Sequence, residues 1–361
     1  MVDFRSDNVK GAAPEVLAAL AEANGGAAPP YGDDPLTVRL RDRFREVFET
    51  DCAVFPVATG TAANVLGLSV MTPPYGAIYC HRDSHINVDE CGAPELYSGG
   101  AKLVALPGAD AKLTAAQLAE VLSGAGAGVV HHVQPAAISL TQATEAGAVY
   151  RVEEVAAIAE VARAHKLGLQ MDGARFANAL VTLGCSPAEA TWKAGVDVLA
   201  FGATKNGCLC AEAVVVFRPE LAETLPYRRK RGGHLFSKLR FLSAQLEAYL
   251  KDGLWLALAR RANARARELA EGLAALPGAA LLHPVEANEI FARLPRGLAE
   301  TLRARGFAFY DWPAAGPGAV RLITAFDSTP EEVAAFLAAA REGLGVAAGA
   351  GKAAETEAEP A

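Results

Sequence analysis

The sequence predicts an α/β fold, with a large domain on a mostly parallel seven-stranded sheet and a smaller C-terminal α/β domain. Three observations carry this reading. Short apolar runs alternate with helical segments between about residues 50 and 217, a long helical stretch rich in Ala, Leu and Arg follows, and a second, shorter alternation closes the chain. A length of 361 residues suits two domains.

The elements follow in order. An N-terminal segment, 1–30, precedes a large domain spanning 31–236. Asp34-Pro35 offers a cap and a proline at the first helical position, after which Leu36, Leu40, Phe44, Val47 and Phe48 recur on one helical face. Strands of the large sheet are expected at 54–57, 77–80, 102–106, 128–133, 167–172, 198–202 and 213–217. Thr114-x-x-Gln117 and Ser186-Pro187-x-Glu189 have the pattern of capping boxes. Residues 237–276 form one helical connector, broken or bent near Gly253. The small domain, 277–345, carries strands at 280–285, 289–294, 307–312 and 320–325, and its last helix starts at the capping box Thr329-Pro330-Glu331-Glu332. The tail, 346–361, has no aromatic residue and is expected to be disordered.

Composition narrows the function. The formal charge of −7 disfavours a nucleic-acid surface, which needs concentrated Lys and Arg. One basic cluster, Arg228-Arg229-Lys230-Arg231, stands apart. No stretch approaches 18 uninterrupted apolar residues, so no membrane span is expected, and the acidic, polar start does not read as a secretory signal. The six cysteines include no Cys-x-x-Cys pair and read as reduced, small core residues of a cytoplasmic protein. His131-His132 reads as strand packing, because strand neighbours point to opposite faces, and no metal-ligand set is expected.

Chemistry concentrates at two strand ends. The run 167–171 leads into Asp172-Gly173-Ala174-Arg175, and one helical unit later 198–202 leads into Ala203-Thr204-Lys205-Asn206-Gly207. Lys205 follows Asp172 by 33 residues, the length of one strand-helix-strand crossover, so both fall on the carboxyl edge of the sheet, where open α/β sheets bind ligands. An Asp able to pair with a pyridinium nitrogen and a Lys able to form a Schiff base are what a pyridoxal phosphate (PLP) site requires. Separately, helix capping and a solvated lysine would explain them; together they favour the cofactor. The turn Thr59-Gly60-Thr61-Ala62-Ala63-Asn64 opens a helix and offers its amides and hydroxyls to a phosphate.

These motifs, with Asp3-Phe4-Arg5-Ser6-Asp7-Asn8, Tyr31-Gly32-Asp33-Asp34-Pro35 and Asp172 to Ala179, resemble the low-specificity L-threonine aldolases, PLP-dependent fold-type I enzymes of the aromatic amino-acid β-eliminating lyase and threonine aldolase family. The resemblance covers roughly 3–345.

The resemblance implies roles for individual residues. Lys205 binds PLP covalently and Asp172 partners its ring nitrogen. Gly60, Thr61 and Asn64 lie in the phosphate turn, with Arg175 and Thr204 also at the cofactor. His85 stacks on the ring and is the expected proton acceptor, directly or through a water. Ser6, Arg175 and Arg321 surround the substrate carboxylate. The implied reaction is retro-aldol cleavage of L-threonine, L-allo-threonine and related β-hydroxy amino acids to glycine and an aldehyde. An aldolase for phenylserine or β-hydroxyaspartate, a β-eliminating lyase and a silent PLP-binding protein remain open alternatives. Two departures from the commoner pattern are Thr204-Lys205-Asn206-Gly207 around the lysine and the lack of a Glu-Asn dipeptide where the run from Gly128 meets Gln134-Pro135. Gln134, or Thr141-Gln142, would supply the missing contacts. The basic run and Gly232-Gly233 match a segment that reaches a neighbouring subunit's phosphate, implying a homodimer or homotetramer with the active site at the subunit interface.

Overall fold

A computed structural model describes residues 2–345, so the tail expected to be disordered lies outside the described residues. The strands in chain order are β1 (Val2–Asp3), β2 (Ala53–Val57), β3 (Gly76–His81), β4 (Lys102–Leu106), β5 (Gln134–Thr141), β6 (Gly168–Gly173), β7 (Val198–Gly202) and β8 (Glu212–Val216), followed by β9 (Ala280–Leu281), β10 (Glu289–Arg293), β11 (Phe307–Ala308), β12 (Tyr310–Asp311) and β13 (Ala319–Ile323). The seven strands β2 to β8 form one sheet in the order β2-β8-β7-β6-β5-β3-β4. Pairings from β4 through β7 are parallel, whereas β8 runs antiparallel to both β7 and β2. Because helices cover both faces, β3, β6, β7 and β8 are buried throughout their length.

Local sequence explains the helices that matter to the site. Asp34 accepts the Thr37 amide at 2.9 Å and caps Pro35–Phe48, whose Leu40, Phe44 and Phe48 enter the core. Thr59 accepts the Ala62 amide at 3.1 Å and caps Gly60–Ser69. Gly202 lets β7 approach the chain leaving β6, since a Cβ there would lie 2.6 Å from the Gly173 carbonyl oxygen.

The second sheet is antiparallel, in the order β12-β13-β10-β9. The N-terminal segment reaches it, because β1 pairs in parallel with β11 and Phe4 packs edge-on against Phe336. The expected connector is two helices, Arg240–Leu250 and Leu254–Ala274, separated by a turn in which Gly253 has φ 71°. The second helix serves both cores: Trp255, Leu258 and Ala259 enter that of the large sheet, and Ala266, Leu269 and Leu273 that of the small one.

Several expectations need correction. The strand placed at 128–133 begins at Gln134 instead; Val130 is 92% exposed, and His131 and His132 lie in an exposed loop. Gln134 ties that loop down, accepting the Gly128 amide at 2.7 Å and donating to the carbonyls of Val129 and His132. Its apolar run resembled a strand but had no partner. The span 307–312 divides between two sheets as β11 and β12, and 280–285 shortens to β9. Ser186 and Glu189 exchange both capping bonds around a turn that starts no α-helix, whereas Gln117 uses its side chain on the Pro107 carbonyl, so Thr114 caps without reciprocation. All six cysteines are free, but only Cys52, Cys80 and Cys208 are buried, and Cys91 is exposed.

Candidate active site

Parallel strands end together, and the ends of β5, β6 and β7 meet the turn after β2 around one cavity of about 280 Å³. Gly60, Thr61, Asn64, His85, Asp172, Arg175, Thr204 and Lys205 all line it. Asp172 is the penultimate residue of β6, level with Ala200 of β7, and Lys205 sits in a single helical turn, Thr204–Asn206, just beyond β7. Gly207, at φ 113°, closes that turn; a Cβ there would meet the Leu258 side chain at 2.9 Å.

Asp172 is buried and fixed at both oxygens. Oδ2 accepts from Asn64 Nδ2 at 2.8 Å, and Oδ1 from the Ala174 amide at 2.9 Å. Asn64 is itself oriented by Gln170, whose Nε2 donates to Asn64 Oδ1 at 2.9 Å while its Oε1 accepts from Ser139. The second Nδ2 hydrogen of Asn64 goes to Glu90 Oε1 at 2.9 Å, and His85 Nδ1 lies 2.9 Å from the same oxygen. That hydrogen bond raises the His85 pKa against the opposing effect of burial, with Asp172 adding to the rise.

Arg175 is held between two buried carboxylates. Nε and Nη2 donate to Asp7 at 2.9 and 3.2 Å, and Nη1 lies 3.2 Å from Glu289 Oε2. Ser6 does not line the cavity; its hydroxyl accepts the Asn8 amide at 3.1 Å, and Asn8 is the residue of that turn that reaches the wall. Arg321 also stands outside the lining, on β13. Its guanidinium lies 5.3 Å from the Trp312 ring and 5.5 Å from the Tyr310 ring, and Nη2 donates to the Arg5 carbonyl at 3.4 Å.

The sequence reading did not assign Asn8, Glu90, Glu145 or Glu212. Glu145 and Glu212 line the cavity, and burial pushes both pKa values up to about 7. Glu212 Oε2 accepts the Ala203 amide at 3.0 Å, behind Lys205. For Glu145 a signal existed, since it lies four residues after Thr141, but β5 had been placed six residues too early. Of the proposed substitutes for the missing dipeptide, Gln134 serves the distant loop and Gln142 bonds the Tyr150 backbone, leaving Thr141 in the wall. Among the described residues no cluster of His, Cys, Asp and Glu is placed to hold a metal ion, and no helix is long and apolar enough to cross a membrane.

The family model of beta-eliminating lyases matches residues 3–295. The chain belongs to this family. It is 47% identical over 330 residues to a low specificity L-threonine aldolase of Pseudomonas aeruginosa, covering 91% of this chain and 94% of that one. A low specificity L-threonine aldolase of Escherichia coli is 27% identical over 347 residues, covering 92% and 96%. A solved threonine aldolase structure from Leishmania major superimposes with a TM-score of 0.89 at 28% identity, over 95% of this chain and 99% of that chain.

Pyridoxal phosphate, the cofactor of this fold-type I family, fits the residues present. A Cβ on Gly60 would meet no protein atom within 4 Å, so the packing does not demand glycine there and the open space belongs to the cavity. The amides at the start of Gly60–Ser69 suit a phosphate, and the same cavity is lined by the buried Asp172 and by Lys205.

Proposed function

We propose that the chain cleaves L-threonine, L-allo-threonine and related L-β-hydroxy-α-amino acids to glycine and an aldehyde, using pyridoxal phosphate. The observation that carries this reading is the convergence of Lys205, Asp172 and His85 on one cavity at the carboxyl edge of the sheet. The bound cofactor supplies an electron sink for the pair released at Cα when the Cα–Cβ bond breaks.

The chain's own residues do the rest. Lys205 provides the amine that binds the cofactor covalently. Asp172, held by Asn64 and the Ala174 amide, would pair with the ring nitrogen and favour its protonated form. Gly60, Thr61 and Thr204 bind at the phosphate end. His85, its pKa raised by the hydrogen bond to Glu90, lines the same cavity. Arg175 gives two of its five N–H donors to Asp7 and holds Nη1 beside Glu289, which locks its orientation; the donors left over suit a substrate carboxylate. Arg321, outside the lining but close enough for its charge to act on Glu289, is the second arginine of the carboxylate site in this reading, and that grip selects the bond that breaks.

The same reading includes a homodimer or homotetramer. It is supported by Leu96 and Tyr227, 76% and 78% exposed on two segments that meet through Tyr97 and His234. The basic helix Leu225–Arg231 belongs to that face. Arg229 is buried against the Pro56 carbonyl, while Lys230 lies exposed, 4.8 Å from the Tyr31 ring. A cytoplasmic location is part of the reading, supported by the unpaired thiols of Cys52, Cys80 and Cys208.

The test is product analysis of the cofactor-loaded protein with L-threonine. Acetaldehyde and glycine in equal amounts are expected. Ammonia and a 2-oxo acid in their place would identify a β-eliminating lyase.

A further inference from the structure

Among the described residues lining the cavity, one has a buried side-chain oxygen without a hydrogen-bond partner. Glu145 follows β5 by four residues, and its Oε1 accepts two hydrogen bonds, from Thr141 Oγ1 at 2.7 Å and from the His85 amide at 2.9 Å. Its Oε2 is buried and makes no hydrogen bond. Glu90 also has a buried orphan oxygen but does not line the cavity, and Glu212, which does, has no such oxygen. A buried carboxyl oxygen without a partner is costly, and a substrate hydroxyl would satisfy it.

We infer that Glu145 takes up the β-hydroxyl proton of the substrate on Oε2 as the Cα–Cβ bond breaks, which makes it a catalytic residue of the retro-aldol step. The inference rests on the activity proposed above. The hydroxyl proton passes to Oε2, and the O–H electron pair becomes the second bond of the aldehyde carbonyl. The Cα–Cβ pair stays with Cα, and a proton from solvent completes glycine while Glu145 returns its own to solvent. Substrate thus equals glycine plus aldehyde, with no other reactant.

Two features suit Glu145 to this role better than His85. The ring nitrogen of His85 nearest a carboxylate is already bonded to Glu90, and the resulting upward pKa shift disfavours its neutral, proton-accepting form. A carboxyl raised by burial to about 7 is well matched to proton transfer near neutrality. Thr141 and the His85 amide, both spent on Oε1, hold the carboxyl in place and leave Oε2 as the basic oxygen. The other charged or titratable groups sharing this space are Asp172 in β6, Arg175 just after it, Lys205 beyond β7, Glu212 at the start of β8, and His85.

The experiment compares wild type, Glu145→Gln and His85→Asn, each loaded with cofactor. Glutamine keeps an acceptor for Thr141 and the His85 amide, so the visible spectrum and the melting temperature are expected to match wild type. Its kcat for L-threonine should fall on the order of 10²–10⁴-fold. The acid limb of the wild-type kcat/KM profile, near the value of about 7 set by burial of Glu145, should vanish in Glu145→Gln and persist in His85→Asn. Exchange of the glycine Cα hydrogen with deuterated solvent, followed by NMR, involves no hydroxyl and should survive in Glu145→Gln.

A Glu145→Gln protein whose kcat stays within about tenfold of wild type overturns the inference. So does loss of cleavage and of glycine exchange to the same extent, which would mark a structural role, or an acid limb that disappears only in His85→Asn. A wild type that exchanges glycine yet cleaves no β-hydroxy amino acid would fail the proposed activity itself, and this inference with it.

Discussion

Arg175 and Asp7 form a paired, two-point contact, Nε to Oδ2 at 2.9 Å and Nη2 to Oδ1 at 3.2 Å, between residues 168 positions apart. Asn288 adds a bond to Asp7 Oδ2 at 3.1 Å from just before β10. The N-terminal segment, the end of β6 and the small sheet are thereby pinned at one point beside the cavity.

Removing Asp7 strips buried Arg175 of both hydrogen bonds and leaves it only the looser contact with Glu289. Asp7→Ala should destabilise the fold by about 3–5 kcal/mol, read from chemical denaturation. Burial opposes ionisation of Asp7, but Arg175, Lys205 and the Asn288 bond outweigh it and hold its pKa below the ordinary value. Its contribution is therefore complete above the unfolded carboxyl pKa of about 3.9 and is lost as pH falls through the lower, folded value. A variant as stable as wild type at neutral pH would show that the pair contributes nothing.

Lys205→Ala should lose covalent cofactor attachment and threonine cleavage together. Borohydride reduction followed by peptide mapping should place the cofactor on Lys205 in wild type. Label found on another lysine would reassign the role.

The Arg321 guanidinium lies over the rings of both Tyr310 and Trp312. Arg321→Ala should raise KM for L-threonine by the loss of one charge-assisted contact, roughly 1.5–3 kcal/mol. Arg321→Lys should recover little of this, since an ammonium has neither the fork nor the flat face. An unchanged KM in the alanine variant would put Arg321 outside the substrate site.

Glu90→Gln should lower the His85 pKa, because the hydrogen bond to Glu90 is the largest cause of its rise. NMR titration of the imidazole gives the reading directly. In wild type the pair stabilises the fold fully below the unfolded His value of 6.5, and that contribution fades as pH rises through the raised, folded value. A pKa unmoved by the substitution would assign the rise to Asp172.

Sequence alone placed Asp172 and Lys205 at the ends of neighbouring strands. Asp172 and Lys205 were legible because parallel strands joined by helical crossovers must end on one edge, whatever the packing in between. The helix start at Gly60 was legible for a similarly local reason, a cap residue followed by a glycine. The β5 boundary was not, because Val129, Val130 and Val133 have strand character, and only pairing with β3 and β6 selects Gln134 as the first residue. Tertiary structure alone decided how the ionisable groups are tuned. The Asp7–Arg175–Glu289 cluster, the Asn64 bridge between Glu90 and Asp172, and the buried Glu145 carboxyl join residues far apart in the chain. Their protonation follows from burial and from neighbours that local sequence does not specify.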